Sequence, residues 1–593
     1  MTNSARINRP RRSCFMKNKE IASAFNEIAD ILELQGKNPF RVSAYRRGAQ
    51  SIENLSRDIA AVADEGALGD IPGIGKDLRA KIEEYLETGA IAFLAELRGE
   101  TPRVLLDMLR IPGVGPKTAV LLYEGLGIES IDDLKKAAVE HRIQGLPKIK
   151  AKTEENILKG VEFLERAQGR TPIGHAYPLA GEIVASLGRL REVKMISVAG
   201  SLRRWRETVG DIDILVTSTA PEKVIRRFTS LDIVQRVLAE GKTKGSIVAS
   251  GDIQVDLRVV EEKSYGAALN YFTGSKEHNI RLREIAIQKG MKLNEYGVFK
   301  KGARGTERRI AGSTEGSVYK ALGLPLIPPE IREDAGEIEA ARRGDLPALV
   351  TRDDIRGDLH FHSDWSDGTA GLEEVAHAGK AFGYRYILIS DHSQSLKIAH
   401  GLSPGRLLEQ IEEIDRVNER TRGFRLLKGS EVDILPDGTL DMDEDILRRL
   451  DIVIVAVHSN FKMKRDEMTR RVVRACESPY AHILAHPTGR LIGTRDAYGI
   501  DMEAVITAAA RTGTAIEINA HPLRLDLDAA TARAAAGAGV MISIGTDTHK
   551  PAAEMENIVY GIGTARRGWL TPGNILNTRP PAKLLSYFHK KTG

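Results

Sequence analysis

The chain has 593 residues, with 86 Lys+Arg against 81 Asp+Glu and a formal net charge of +5 at pH 7. That length exceeds one hydrophobic core and predicts about three to five domains, while so balanced a charge does not by itself mark a nucleic-acid binder. With 2 cysteines and no run of about eighteen apolar residues, the sequence predicts no disulfide framework, no membrane span and a reducing, cytoplasmic setting.

In chain order, the first fifty residues hold ten Lys/Arg and four acids. "RRSCFMK" at 11–17 has the look of a twin-arginine signal, but the charged "KNKEIA" stands where such a signal needs an apolar segment. Residues 1–15 are therefore expected as a disordered basic extension. Residues 17–125 show apolar positions at helical spacing, as in "IASAFNEIADILEL". Within them a unit recurs, "IPGIGKDLRAKI" at 71–82 and "IPGVGPKTAVLL" at 111–122. Gly73 and Gly75, then Gly113 and Gly115, allow a tight turn that exposes amides at a helix N-terminus, where a phosphate binds without regard to base sequence. The alternative is a plain turn between packed helices. A third copy, "LPKIKAKTEENI" at 146–157, has lost both glycines. The doubled unit resembles the helix-hairpin-helix motif of DNA repair proteins.

The stretch "GSLRRWRETVGDIDILV" at 200–216 closes on a β-branched strand. Period two puts Asp211 and Asp213 on one face and Ile212 and Ile214 on the other. Paired carboxylates repel unless a cation sits between them, and hard divalent ions take oxygen ligands while leaving positions for substrate phosphates. The plain alternative is a solvated strand edge, with Arg203 and Arg206 as surface charges. A second strand, "IQVDLRVV" at 253–260, carries Asp256, and "YGAALNYFTGSKEHNIRLREIA" follows at 265–286.

From about Met16 to the C-terminus, these motifs in this order resemble a bacterial family X DNA polymerase of the nucleotidyltransferase superfamily. The resemblance implies that Asp211, Asp213 and Asp256 hold two Mg²⁺ or Mn²⁺ ions. It further implies that Ser201, Arg204 and Gly210 surround the incoming triphosphate, that Tyr271, Phe272 and Gly274 abut the nucleotide sugar, and that Asn279 meets its base. "SAYRRGAQSI" at 43–52 resembles a helix of that family's lyase domain. Lys81 falls where some members form a Schiff base with an abasic sugar, and Arg41, Lys76 and Arg79 are its expected neighbours. Asp77 departs from the basic residue of the best-known lyases.

Eleven of the 14 histidines lie after residue 350, where strands alternate with helices and polar residues end nearly every strand. That is the layout of a parallel (β/α) barrel with its site at the C-terminal rim. The rim residues are His360, His362, Asp367, His392, Glu431, His458, His486, Asp547 and His549. Mixed histidine and carboxylate ligands suit Zn²⁺ or Mn²⁺ better than Mg²⁺ or Ca²⁺. These motifs resemble a PHP domain (polymerase and histidinol phosphatase), which implies a trinuclear Zn²⁺ and/or Mn²⁺ cluster and phosphodiester hydrolysis. Asp391 is read as orienting a ligand, and His521 stands where asparagine is expected.

The expected fold is multidomain: residues 16–95 a lyase-like helical domain with a helix-hairpin-helix, 96–170 fingers with a second one, and 171–262 an α/β nucleotidyltransferase palm. A thumb-like nucleotide-binding domain (263–335), a linker (336–356) and a distorted (β/α) barrel PHP domain (357–593) follow. The expected function is a DNA-directed polymerase filling short gaps in base excision repair, with a metal-dependent 3′-5′ exonuclease or 3′-phosphodiesterase that also serves as an AP endonuclease. The expected partners are gapped or nicked duplex DNA and dNTPs, for a monomer at the nucleoid. A small-molecule phosphatase with a degenerate polymerase, and a DNA-binding scaffold with structural metals, are the rival readings.

Overall fold

The computed structural model describes residues 15–592 except 54, 56–58, 110, 112–113, 148, 168–169 and 302–305. The expected extension at 1–15 thus lies outside the described residues but for Phe15, and Gly113 lies outside them too. The chain divides into two compact units, 1–168 and 169–593.

Every regular element among the first unit's described residues is a helix. Ile21, Phe25, Ile28 and Leu32 recur at three and four residues along Phe15–Leu34 and bury one stripe against Tyr45 and Ile52 of Pro39–Glu53 and Leu78 and Ile82 of Lys76–Thr88. A second core gathers Met108, Ile111, Leu122, Leu134 and Ile157.

The second unit opens on a five-stranded mixed sheet of β1 (Val193–Val198), β2 (Asp211–Ser218), β3 (Val234–Glu240), β4 (Lys244–Ala249) and β5 (Ile253–Val259), ordered β1-β2-β5-β4-β3. β2 and β5 are parallel neighbours. Ile212, Ile214, Val255 and Leu257 point from them into one core with the Ile173–Leu187 and Pro221–Thr229 helices, which leaves the aspartates of β2 and β5 on the opposite face. Next come the Tyr265–Thr273 and Lys276–Gln288 helices and a three-stranded antiparallel sheet, with a core that includes Leu282, Val298, Tyr319 and Ile338. The segment expected as a linker carries a helix at Glu337–Arg343, and its Val350 packs into the barrel core.

The barrel has seven parallel strands in sequential order: β6 (Gly357–Phe361), β7 (Tyr386–Ile389), β8 (Arg425–Asp433), β9 (Ile452–Ala456), β10 (Ile483–Leu484), β11 (Ala515–Asn519) and β12 (Ile542–Gly545). Past β12, Phe361 bridges Thr548, and His362 N donates to Thr548 O at 2.9 Å, drawing the last strand onto the first. The strands are buried on both faces and read as near-continuous apolar runs, as parallel strands covered by helices do.

Candidate active sites

On the five-stranded sheet the register sets Asp213 opposite Asp256, and Asp211 opposite Gln254. Gly200 lies directly over this pair: its φ is 65°, and a Cβ there would meet Asp213 Oδ2 at 2.7 Å, so both the left-handed backbone and the close approach demand glycine. Asp256 accepts hydrogen bonds from Ser246 Oγ and from Gln254 Nε2 at 3.1 Å, and pairs with Lys244 at 3.3 Å. Burial pushes Asp213 up to about 7, and the charges of Asp211 and Asp256 push the same way. Asp211 is raised by burial and by Asp256. Burial would raise Asp256 as well, yet Ser246, Gln254 and Lys244 hold it below the ordinary range. Among the described residues, ligating atoms of all three carboxylates do not converge within 4.8 Å; Asp256 is turned onto its own partners. What the arrangement offers a cation is a carboxylate face on which Asp213 holds a proton for want of positive charge.

Around this face, Ser201 sits on the Gly200–Arg203 helical turn, followed by Arg204 and Gly210. Arg204 Nε donates to Glu333 at 3.1 Å and its Nη1 donates to the Thr273 carbonyl. Arg203 instead joins a buried ion network, reaching Glu315 at 2.6 Å, which Arg332 also meets at 2.6 Å. Tyr271 is 41 % exposed, Phe272 lies under the Arg258 guanidinium, and Gly274, with φ 72°, passes over Arg204. Asn279 Nδ2 donates to the Tyr271 carbonyl at 2.7 Å, and both line a small recess with Arg283 and Asn294.

At the barrel rim the nine predicted residues converge. Four overlapping sets bring ligating atoms within 4.8 Å of one another: His362, Asp367, His392 and His549; His360, Glu431 and His486; His392, Glu431 and His458; His360, His362 and Asp547. The fit to cations rests on orphaned atoms. His360 Nε2, both ring nitrogens of His362, His392 Nδ1 and Glu431 Oε2 are buried and make no hydrogen bond within the described residues, an arrangement that costs stability unless something else binds them. Electrostatics agree. Burial opposes the charged form, yet surrounding carboxylates raise His458 to about 10 and His549 to about 9, so the carboxylates draw positive charge from any group that can supply it. His362, buried among the other imidazoles, falls to about 3.

Outer partners fix the ligands. His360 Nδ1 meets Glu517 at 2.7 Å, whose other oxygen accepts His486 N at 2.8 Å, and His458 Nδ1 meets Asp433 at 3.0 Å. Such contacts set tautomer and orientation. Asp391 is buried and takes hydrogen bonds from Ser363, Ser366 and Gln410, outside all four sets. Glu517 escaped sequence reading; its signal is a lone carboxylate in the apolar run "AIEIN" of β11. His521 joins none of the sets, and its Nδ1 accepts Leu523 N at 3.3 Å.

In the helical unit, Gly73 takes φ 82° and Gly75 caps Lys76–Thr88 without a side-chain bond, as Gly115 caps Pro116–Leu126. The free amides expected of a phosphate grip are thus available at both helix starts. Lys81, 13 % exposed, pairs with Asp77 at 2.6 Å and lies 5.1 Å over the Phe93 ring, while Arg41 caps the same ring. Its nearest charge is therefore the acid, not the cations expected beside it.

The fold is that of a nucleotidyltransferase palm and thumb followed by a PHP barrel, whose rim residues could hold metal ions. Comparison with known proteins agrees. Residues 16–91 match the helix-hairpin-helix domain, 105–162 the SAM-like helix-hairpin-helix tandem, and 268–333 the DNA polymerase beta thumb. The DNA polymerase/3′-5′ exonuclease PolX of Bacillus subtilis (strain 168) is 40 % identical over 566 residues, covering 95 % of this chain and 98 % of that protein. DNA polymerase lambda of Arabidopsis thaliana is 27 % identical over 350 residues (53 % of this chain, 62 % of that protein), and that of Rattus norvegicus 25 % over 343 (53 % and 56 %). The chain belongs to the PolX family of family X DNA polymerases. No described helix is long and apolar enough to cross a membrane.

Proposed function

We propose that this chain is a DNA-directed DNA polymerase that fills short gaps during base excision repair, and that its barrel trims 3′ ends as a 3′-5′ exonuclease and opens abasic sites. The observation that carries this reading is the presence, in one chain, of two separate ligand clusters: paired carboxylates on β2 and β5, and nine converging residues at the barrel rim.

Divalent metal, Mg²⁺ or Mn²⁺ at the palm and three Zn²⁺ and/or Mn²⁺ at the barrel, would neutralise phosphate charge and acidify the attacking oxygen. Asp211, Asp213 and Asp256 would hold it in the palm, and the four rim sets would hold it in the barrel. Ser201 and Arg204 bind the triphosphate, with Gly210 leaving room beside it. Asp256 would stand near the proton that the primer 3′-OH loses. The Tyr271-Phe272-Gly274 segment supports the sugar, Asn279 contacts the base, and template pairing selects it. The helix starts capped by Gly75 and Gly115, each within a Pro-Gly-x-Gly frame of the sequence, grip backbone phosphates, so binding selects gapped or nicked duplexes rather than sequences. The protein acts as a monomer at the nucleoid.

The test uses a labelled primer on a one-nucleotide gap with Mn²⁺, with and without dNTPs. Asp211→Ala/Asp213→Ala should only shorten the primer, and His360→Ala/His362→Ala should only lengthen it. A wild type that never lengthens the primer refutes the palm assignment.

A further inference from the structure

The segment from Ser201 to Glu207 carries the side chains assigned above to the triphosphate, and its seat is built partly from the barrel. Trp205 has a left-handed φ of 56°, a conformation that costs a non-glycine residue energy and persists only where its surroundings enforce it. Here they do. The indole lies 4.8 Å from the Tyr177 ring and 6.2 Å from that of Tyr560. It also lies against Gly563, where a Cβ would meet it at 2.4 Å. One residue earlier, the Arg204 carbonyl accepts a hydrogen bond from Arg567 Nη1 at 2.7 Å, and the same nitrogen reaches Glu333 Oε1 at 2.9 Å. Tyr560, Gly563 and Arg567 stand on one face of the barrel's Ile558–Arg567 helix, and the Arg567 side chain is only 11 % exposed.

Glu333 also holds the Arg204 guanidinium, at 3.1 Å. A carboxylate there competes with a triphosphate for the same cation. For Arg204 to turn to a nucleotide, Glu333 must keep another positive partner, since a half-buried bare charge is costly. Of the two cations left to Glu333, Arg567 is the one within hydrogen-bond reach, at 2.9 Å, against 3.8 Å for the more exposed Arg206.

We propose that Arg567 is a positioning residue of the polymerase site: it clamps the backbone of the triphosphate loop and keeps Glu333 paired when Arg204 engages the nucleotide. This rests on the assignment of Ser201 and Arg204 to the triphosphate. The barrel is then part of the polymerase as well as a nuclease beside it.

The test is steady-state filling of a one-nucleotide gap by the full chain, with exonuclease rate and melting temperature measured on the same preparations. Arg567→Ala should raise KM for dNTP on the order of 10-fold, the loss of about one charge-assisted hydrogen bond, with kcat changed far less. Arg567→Lys should fall between it and wild type. Gly563→Ala, which displaces Trp205 without touching charge, should move KM the same way. Exonuclease rate should stay at wild type in all three. Arg204→Ala is the control: an unchanged KM there refutes the triphosphate assignment and the inference with it. A raised KM in Arg204→Ala beside wild-type KM in Arg567→Ala and Gly563→Ala overturns the inference alone. If Arg567→Ala fails to fold, Arg567→Lys and Gly563→Ala decide, and wild-type KM in both overturns it.

Discussion

Stripped of divalent ions, the palm should lose stability as pH rises through neutrality, because of one carboxyl. Burial, then Asp211 and Asp256, raise Asp213 from 3.8 to about 7. A folded-state pKa above the unfolded one means that folding holds the proton more tightly. The contribution is fully present below about pH 4 and is lost as pH climbs through about 7. At about 1.36 kcal/mol per pKa unit, the interval amounts to an upper bound of about 4 kcal/mol, which water reaching the exposed Asp211 reduces. The assay is thermal unfolding in EDTA from pH 4.5 to 8.5 for wild type and Asp213→Asn. The histidine cluster titrates in both proteins, so the difference between the two curves isolates the palm. The wild-type melting temperature should fall more steeply between pH 5 and 8 than that of Asp213→Asn. Excess Mg²⁺ at pH 8 should raise the wild type more than the variant, since a ligand stabilises the state it binds. Parallel curves, with equal Mg²⁺ responses, would refute the electrostatic account of this site.

Three further outcomes follow from the same electrostatics and packing. Glu517→Gln loosens His360 and His486 together, so titration with Zn²⁺ or Mn²⁺ should show affinity lowered roughly 10- to 100-fold, while gap filling stays at wild type. Glu315→Gln deprives the fully buried Arg332 and its neighbour Arg203 of their shared carboxylate, and chemical denaturation should register a loss of about 3–5 kcal/mol. Borohydride trapping on an abasic 5′ end should be weak in wild type, because the Lys81–Asp77 pair must open before the amine attacks; Asp77→Asn should increase the trapped product, and Lys81→Ala should abolish it.

The residues that were legible in the sequence are those whose period or spacing is itself the signal. Asp211 and Asp213 around Ile212 announce a strand with two faces, and His360 and His362 do the same at a barrel strand end. The recurring Pro-Gly-x-Gly frame marks two helix starts because only a few backbone shapes fit it. What sequence could not supply is long-range pairing. Nothing local says that Glu333 joins Arg204 to Arg567 across 363 positions between the two arginines. The Lys81–Asp77 pair, by contrast, follows from their four-residue spacing on one helix, where Arg79, two residues away, does not face Lys81. Glu517 was missed because a buried carboxylate in an apolar strand looks like an exception until the histidines around it are in place.

The two clusters answer the repulsion between carboxylates in different ways, and the difference predicts how firmly each keeps its metal. At the barrel, burial would raise Glu431 and Asp547, yet the imidazoles around them hold both well below the ordinary carboxylate range. Those acids are ionised and aimed before any cation arrives, and Glu517 and Asp433 fix the rings. At the palm only Asp256 has such support, from Ser246, Gln254 and Lys244, and it is turned onto them; Asp213 keeps its proton up to about pH 7 and Asp211 is exposed. Cation binding displaces protons at both clusters, from Asp213 here and from His458 and His549 at the barrel. At the palm it must also rearrange a side chain and finds fewer ligands, so it is weak until a triphosphate adds its own oxygens. Dialysis against a mild chelator should therefore strip the palm first and leave the barrel loaded. Gap filling would then return on adding Mg²⁺ with dNTP, whereas a chelator strong enough to silence the exonuclease should leave a deficit that Zn²⁺ or Mn²⁺, and not Mg²⁺, repairs.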